Sequence, residues 1–334
     1  MKTRGNHHVF GPVPSRRLGR SLGVDLVPFK TCSYDCIYCQ LGRTTCLTAE
    51  RREWVPVEAV LDELQRKLAS RPDYITLSGS GEPTLHSRLG EIIARIRAIS
   101  TVPIAVLTNG SLLWRNEVRE EAALADVVLP SLDAFDPKCF ALVNRPHPEI
   151  TFERLVDGLV AFRREFTGGY WLEVMLLDGR TSLPWQVRRL AELVRRIRPD
   201  KVQLNTAVRP PAEESALALA PERLADLARW FDPPAEVVAE HRGPQVPAAR
   251  QSAVEAILAL LRRRPCTVQD IGHGLGLHPA ETVKVLAELE GQGRIVGARR
   301  GPVQFYRARG PEQEPGQAGT GLAVPPSPPS AGNP

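Results

Sequence analysis

The sequence contains few of the residues on which several protein classes depend. It has 6 cysteines and 2 methionines in 334 residues, and so few cysteines exclude a secreted scaffold held together by disulfides. No apolar run approaches the ~18 residues that a membrane span needs, and no apolar signal-peptide core follows the first charges. The hydrophobic share of 43% and the charged share of 24% are those of an ordinary globular chain. We therefore expect a cytoplasmic protein without membrane contact.

The excess of positive charge is small and belongs to one segment. The formal net charge is +5, and residues 250–309 hold ten basic and five acidic side chains. The rest of the chain is neutral in sum. Attraction to a nucleic acid would therefore be a property of this C-terminal segment and not of the whole surface.

Short apolar runs alternate with amphipathic stretches between about residues 23 and 231, which is typical of an α/β fold. The apolar runs predict strands at 23–27, 73–78, 103–108, 126–131, 170–177 and 201–206. Helices are expected between them, among others at 56–70 and 88–100, where apolar residues recur with helical spacing. Six such units predict a partial (β/α)6 barrel or a doubly wound sheet. In both, the carboxyl ends of the strands form the reactive rim.

Composition divides the chain into four parts. We predict a core domain over 1–232, a proline-rich linker over 233–248 and a small domain over 249–309. The small domain is predicted to contain three helices and a hairpin, which is the order of a winged helix. Residues 310–334 are mostly Pro, Gly, Ser, Ala and Gln, so they are predicted to form a disordered tail.

Three cysteines follow the first predicted strand with the spacing C-x3-C-x2-C: Cys32, Cys36 and Cys39. Thiolates on one short loop suit an iron–sulfur cluster or zinc. A four-iron cluster held by three cysteines keeps one iron open for another ligand. A zinc site would need a fourth ligand, for which Cys46 is close enough in sequence. Cluster, zinc and unliganded thiols all remain open on spacing alone.

Further motifs end the next predicted strands: Ser78-Gly79-Ser80-Gly81-Glu82-Pro83, Thr108-Asn109-Gly110 and Ser131-Leu132-Asp133. With the three cysteines and the aromatic Tyr38 before the third, they resemble the radical S-adenosylmethionine (radical SAM) superfamily over about residues 11–231. The resemblance implies that Cys32, Cys36 and Cys39 hold a [4Fe-4S] cluster. It also implies SAM contacts from eight residues: Tyr38, Ser80, Gly81, Glu82, Pro83, Asn109, Ser131 and Asp133.

The resemblance implies a radical SAM enzyme. Such an enzyme cleaves SAM reductively with an electron from an external donor such as flavodoxin or ferredoxin. The resulting 5′-deoxyadenosyl radical abstracts hydrogen from a substrate. The stretches 10–25, 144–146 and 203–211 are similar to a branch near the wyosine-type tRNA-modifying enzymes, which favours a macromolecular substrate such as tRNA. Those enzymes carry additional N-terminal cysteines, whereas none precedes Cys32 here, so the resemblance extends to the radical chemistry and not to the product.

Two alternatives remain beside an RNA-modifying enzyme. One is a peptide- or protein-modifying radical SAM enzyme or a glycyl-radical activase, in which residues 249–309 grip a polypeptide. The other is a metal-sensing winged-helix regulator. The wing tip Arg299-Arg300-Gly301 suits phosphate contact, whereas residues 281–290 of the third helix carry one lysine and three glutamates. We therefore expect the segment 249–309 to contact a nucleic acid, to dock a protein or substrate, or to serve as a structural lid or dimer element.

Overall fold

The computed structural model describes residues 8–15, 17–238, 250–275, 277 and 279–309. The predicted disordered tail at 310–334, most of the predicted linker and Arg16 lie outside the described residues. Within the described part, no helix combines the length and the apolar character that crossing a membrane requires.

Strands and helices alternate along the first 238 residues. The strands are β1 (Val9–Ser15), β2 (Gly19–Val24), β3 (Thr31–Cys32), β4 (Cys46–Leu47), β5 (Tyr74–Leu77), β6 (Ile104–Thr108), β7 (Val127–Pro130), β8 (Gly169–Met175), β9 (Lys201–Asn205) and β10 (Glu236–Val237). The helices are α1 (Val57–Lys67), α2 (Leu89–Ile99), α3 (Asn116–Ala122), α4 (Pro137–Val143), α5 (Phe152–Glu165), α6 (Pro184–Ile197) and α7 (Pro221–Ala228).

Eight of these strands form one sheet in the order β1-β2-β5-β6-β7-β8-β9-β10. All neighbours are parallel except β1, which pairs antiparallel with β2 at one edge. Four strand spacings separate β2 from β8, about 19 Å in a flat sheet. Arg17, in the turn before β2, nevertheless forms a 2.6 Å ion pair with Glu173 of β8. The sheet therefore curls into an open, partial barrel.

The hydrophobic core lies mainly between the outer face of this sheet and the surrounding helices. Ile75, Val106, Val128 and Leu172 are fully buried there, as expected for strands covered on both faces. A second, smaller cluster of Leu18, Ala105, Val127 and Leu129 is separate from this core. Because the strands are parallel, their carboxyl ends and the loops that follow them share one rim.

Residues 250–309 form α8 (Arg250–Arg263), α9 (Val268–Leu275), α10 (Pro279–Gly291) and the hairpin β11 (Ile295–Arg300) and β12 (Val303–Ala308). This segment has its own hydrophobic core, which includes Ile257, Leu261, Ile271 and Leu289. Val13 of β1 packs against that core, so the segment covers the β1 edge of the sheet. The elements follow the order of a winged helix, and the assignment of a separate winged-helix domain stays a prediction.

Most predicted elements agree with the structure, but the short strands β3, β4 and β10 and the helix α4 were not predicted. The helices predicted at 56–70 and 88–100 are α1 and α2, and the mixed α/β architecture with a parallel sheet is confirmed. The strand predicted at 23–27 instead ends at Val24, and β1 was not predicted. Gly11, Pro12 and Pro14 interrupt the strand pattern of β1, and a sheet tolerates proline only at an edge such as this one.

Candidate functional site

The loop that carries the three cysteines is fixed by backbone hydrogen bonds to the end of α4. The amide of Asp35 donates to the carbonyl of Asn144 at 3.0 Å, and that of Ile37 donates to Val143 at 3.0 Å. Tyr34 is buried between Cys32 and Cys36 and packs edge-on against Phe140 of α4, with ring centroids 5.3 Å apart. The loop therefore has a defined shape set by a helix about 110 residues later in the chain.

Each of the three thiols faces a nitrogen donor. The Lys30 ammonium lies 3.2 Å from the Cys39 sulfur. The side-chain amides of Asn109 and Asn144 lie 3.6 Å from the sulfurs of Cys32 and Cys36. N–H groups directed at sulfur stabilise thiolates and are the usual surroundings of iron–sulfur ligands.

The donor set fits a cluster that requires soft, deprotonated sulfur ligands. Burial raises the pKa of Cys32 to about 12 and raises the pKa of Cys36 well above its ordinary value. Both thiols are therefore protonated without a metal, and metal binding must displace these protons. Within the described residues, no group of three or more His, Cys, Asp or Glu side chains has the arrangement of a metal-ion site. The three thiols nevertheless lie close together, because negative charge on Cys32 or Cys39 would raise the pKa of Cys36 further.

The turn after β5 lies directly against the strand that carries Cys32. The Lys30 amide donates to the Ser80 carbonyl at 2.7 Å, and the Glu82 amide donates to the Thr31 carbonyl at 3.2 Å. Gly81 has no room for a side chain, because a Cβ there would lie 1.8 Å from the Thr31 carbonyl oxygen. Pro83 is buried and opens a short 3-10 turn that Glu82 caps. The Ser80–Pro83 turn is thus held at contact distance from the cysteine loop.

The Glu82 carboxylate is buried and receives four hydrogen bonds. Thr84 donates its amide at 3.0 Å and its hydroxyl at 2.7 Å, the Thr108 hydroxyl donates at 2.6 Å, and the Asn109 amide donates at 2.7 Å. Burial raises the pKa of Glu82 although these donors act in the opposite direction. Glu82 therefore joins the turn after β5 to the turn after β6.

Asn109 connects the two motifs. Its backbone amide donates to Glu82, while its side-chain amide donates to the Ser33 hydroxyl at 2.8 Å and faces the Cys32 sulfur. The cysteine loop and the Glu82 turn therefore form one constellation.

Asp133, after β7, completes the rim beside Cys36, since the Asn144 side chain contacts both residues. It is buried and accepts hydrogen bonds from the Tyr38 hydroxyl, from the Asn144 side chain at 2.9 Å and from the Met175 amide at 3.0 Å. Burial raises the pKa of Asp133 to about 6. Ser131 is half-buried on the same segment, where it pairs with Glu173 of β8 through the backbone. The contact of Tyr38 and Asp133 with SAM remains a prediction.

The structure also shows contacts that the sequence did not reveal. Lys30, Thr84 and Asn144 had no predicted role, yet each contacts a cysteine or Glu82. Arg17 pairs with Glu173. Arg20 donates to the Ser70 carbonyl at 3.0 Å. The contacts of Asn144, Arg17 and Arg20 join residues distant in sequence, so no local pattern could have indicated them, whereas Lys30 and Thr84 lie within nine positions of their partners.

Arg300 corrects part of the wing-tip prediction. Its guanidinium donates to the carbonyls of Ala207 at 2.7 Å, Arg209 at 2.6 Å and Ala216 at 3.2 Å, all in the loop after β9. It therefore binds this chain's own rim, whereas Arg299 beside it is exposed.

Comparisons with known proteins agree with this constellation. A family model described as the radical SAM superfamily matches residues 26–237. A UPF0026 protein of Helicobacter pylori is 31% identical over 90% of this chain and 97% of its own length. A Brachyspira hyodysenteriae protein named GTPase Obg is 38% identical, and a UPF0026 protein of Methanocaldococcus jannaschii is 39% identical. The matches span 88% and 61% of this chain but only 44% and 65% of those two relatives.

A solved structure of TYW1 with a lysine-pyruvate adduct bound has a TM-score of 0.49 at 20% identity, over 68% of this chain and 76% of that chain.

Proposed function

We propose that Cys32, Cys36 and Cys39 hold a [4Fe-4S] cluster. The chain belongs to the radical SAM superfamily, whose members are enzymes with a [4Fe-4S] cluster and SAM as cofactors. We propose further that the Ser80–Pro83 turn, Tyr38, Asn109, Ser131 and Asp133 bind SAM beside it. The observation that carries this proposal is the position of Asn109, which contacts both the Glu82 carboxylate and the Cys32 neighbourhood.

When bound, the cluster and SAM supply a 5′-deoxyadenosyl radical, formed with one electron from a donor such as flavodoxin or ferredoxin, and this radical abstracts a hydrogen atom from substrate. The chain's own residues position these partners. Lys30, Asn109 and Asn144 direct N–H groups at the three sulfurs. Glu82 fixes the backbone of the turn that would hold the methionyl amino group, and Asp133 fixes Tyr38.

We propose that the substrate is an RNA such as tRNA. The support is the charge of the C-terminal segment, in which four arginines on or beside the β11–β12 hairpin are exposed: Arg294, Arg299, Arg307 and Arg309. Guanidinium groups on a hairpin suit contact with phosphates. An RNA would then be presented to the rim by the segment that packs beside it.

Reconstitution tests the radical chemistry. Anaerobically reconstituted, reduced protein should convert SAM to methionine and 5′-deoxyadenosine, and Cys36→Ala should abolish this activity together with most of the bound iron. Cys266→Ala is the matched control, because that thiol is buried in the core of residues 250–309. If wild-type protein carries a full, reduced cluster and leaves SAM intact, the proposed function is wrong.

The substrate is tested separately. RNA that copurifies with the protein should transfer deuterium into 5′-deoxyadenosine when the RNA is deuterated, and binding should weaken as salt rises. Deuterium transfer from a polypeptide, with none from RNA, would refute RNA as the substrate and leave the radical chemistry intact.

A further inference from the structure

A single buried carboxylate joins the C-terminal segment to the turn proposed to bind SAM. Asp25 follows β2, and its Oδ1 accepts a hydrogen bond from the Ser80 amide at 2.6 Å. Its Oδ2 forms an ion pair with the guanidinium of Arg263, the last residue of α8. The side chains are only 8% and 14% exposed. Ser80 of the turn and Arg263 of α8, which are 183 positions apart, therefore both bind the Asp25 carboxylate.

The surroundings leave Asp25 and Arg263 little freedom. A Cβ on Gly79 would lie 1.9 Å from Asp25 Oδ1, and its φ of +143° is a conformation that favours glycine. On the other side, the Arg263 guanidinium lies 3.5 Å above the Phe10 ring. That ring in turn covers Gly23, where a Cβ would lie 2.0 Å from it. Arg263 therefore packs on Phe10, and Phe10 packs on Gly23. This packing fixes the position of the guanidinium that binds Asp25.

The Arg263 guanidinium stays charged at neutral pH. Burial lowers the pKa of Arg263, but only to about 9. A carboxylate that loses its buried cation becomes costly to keep in place. Without Arg263, Asp25 would turn toward water or take up a proton, and the Ser80 amide would lose its acceptor.

The same segment reaches the rim at two more points. Arg209, in the loop after β9, lies 3.5 Å from Gln40 of the cysteine loop and 3.5 Å from Asp270 of α9. Arg300 donates to three carbonyls of the loop after β9. Residues 250–309 are therefore attached beside the cysteine loop, the Ser80–Pro83 turn and the end of β9.

We propose that Arg263 is a positioning residue for SAM: through Asp25 it holds the Ser80–Gly81 backbone in the geometry that receives the cofactor. The C-terminal segment is thereby a fixed part of the cofactor site and not an appendage that only presents substrate. The inference rests on the proposed function for the assignment of this turn to SAM.

The test compares Arg263→Met with Arg262→Met in the full, reconstituted protein. Arg262 is the exposed neighbour on the same helix and serves as the matched control. A misplacement of about 1 Å costs up to about a hundredfold in the rate of a bound complex, and the loss of the same contacts weakens binding of the cofactor. For Arg263→Met we therefore expect the Kd for SAM to rise about tenfold to a hundredfold, and the SAM-induced change in the EPR spectrum of the reduced cluster to require correspondingly more SAM. Iron content and the EPR spectrum without SAM should stay unchanged.

Two further variants separate positioning from general stability. Arg263→Lys should restore part of the SAM affinity. Asp25→Asn should raise the Kd in the same direction, and the double variant should be no worse than the more severe single variant, because both act through one path. Should Arg263→Met fail to fold, Asp25→Asn provides the same measurement.

A Kd for SAM equal to that of wild type in a variant whose melting temperature has dropped would overturn the proposal and leave Arg263 a packing residue. Wild-type protein that binds a cluster but no SAM would instead refute the proposed function. The two failures are therefore distinguishable.

Discussion

Gly81→Ala is the substitution that most directly tests the contact between the two motifs. The added Cβ would lie 1.8 Å from the carbonyl oxygen of Thr31 and 2.8 Å from a methyl group of Val27. The Val27 methyl can move, but the Thr31 carbonyl cannot. It belongs to the strand that continues into Cys32, and it accepts a hydrogen bond from the Glu82 amide. The substitution therefore pushes the Ser80–Pro83 turn away from the cysteine loop.

The structure sets the size of this displacement. Real Cβ atoms essentially never approach another heavy atom closer than 3.0 Å, so the turn and Thr31 must separate by at least 1.2 Å along this line. Overpacking of this kind costs roughly 1–3 kcal/mol of stability, which a large domain survives. A misplacement of about 1 Å in a reacting complex costs roughly a hundredfold in rate. We expect Gly81→Ala to fold and to form 5′-deoxyadenosine about a hundredfold more slowly.

The assay measures 5′-deoxyadenosine formation by the reduced protein over a range of SAM concentrations, beside bound iron and melting temperature. Gly291→Ala is the control, because a Cβ there meets no atom within 4 Å, and it should behave as wild type. Wild-type rate and SAM affinity in Gly81→Ala would show that the close approach of turn and loop has no part in binding SAM.

Two further predictions concern single side chains. Cys46→Ala should retain its bound iron, measured by iron analysis and EPR, because Cys46 lies on β4 outside the set of thiols that face nitrogen donors; loss of the cluster would instead make Cys46 a ligand. Asp133, whose pKa burial raises from 3.8 to about 6, binds its proton more tightly in the folded than in the unfolded chain, so the stability it adds is complete below pH 3.8 and lost as pH rises through about 6. In denaturant unfolding of the cluster-free protein, the free energy of unfolding should therefore fall by roughly 3 kcal/mol between pH 3.8 and about pH 6. The Asp133→Asn variant should lack this decline. An equal dependence on pH in the two proteins would show that the pKa of Asp133 is not raised by folding.

Motifs that are local in sequence were accessible without a structure. The spacing of Cys32, Cys36 and Cys39 and the position of Glu82 after a strand depend on a few neighbouring residues. Parallel strands bring such loops to one rim, so their proximity follows from the α/β pattern. The same reasoning places Asn109 and Asp133 at that rim. It predicts which loops meet, whereas the individual site residues were implied by the resemblance to the radical SAM superfamily, and their contact with SAM stays a prediction.

The partners of those residues were not accessible. Tyr38 was expected to contact SAM, and nothing local to it indicates that its hydroxyl reaches Asp133, 95 positions later. The ion pair of Asp25 and Arg263 spans 238 positions and crosses from the sheet to α8. Contacts of this kind are set by how the C-terminal segment packs on β1. That packing depends on the complementarity of two surfaces, which leaves no periodicity in either sequence.

The distribution of charge shows why counting arginines overstates an RNA surface. Residues 250–309 carry all of the net positive charge, yet Arg263 is paired with Asp25 and Arg300 binds three carbonyls of the same chain. A guanidinium committed to a buried partner releases no counterion from a nucleic acid, so it adds nothing to the salt dependence of RNA binding. The arginines left for phosphates are the exposed ones on and beside the hairpin, among them Arg299 and Arg307. Arg263 and Arg300, both partly buried, instead attach this exposed set to the rim, and under the proposed function that attachment would keep an RNA close to the site where the radical would form.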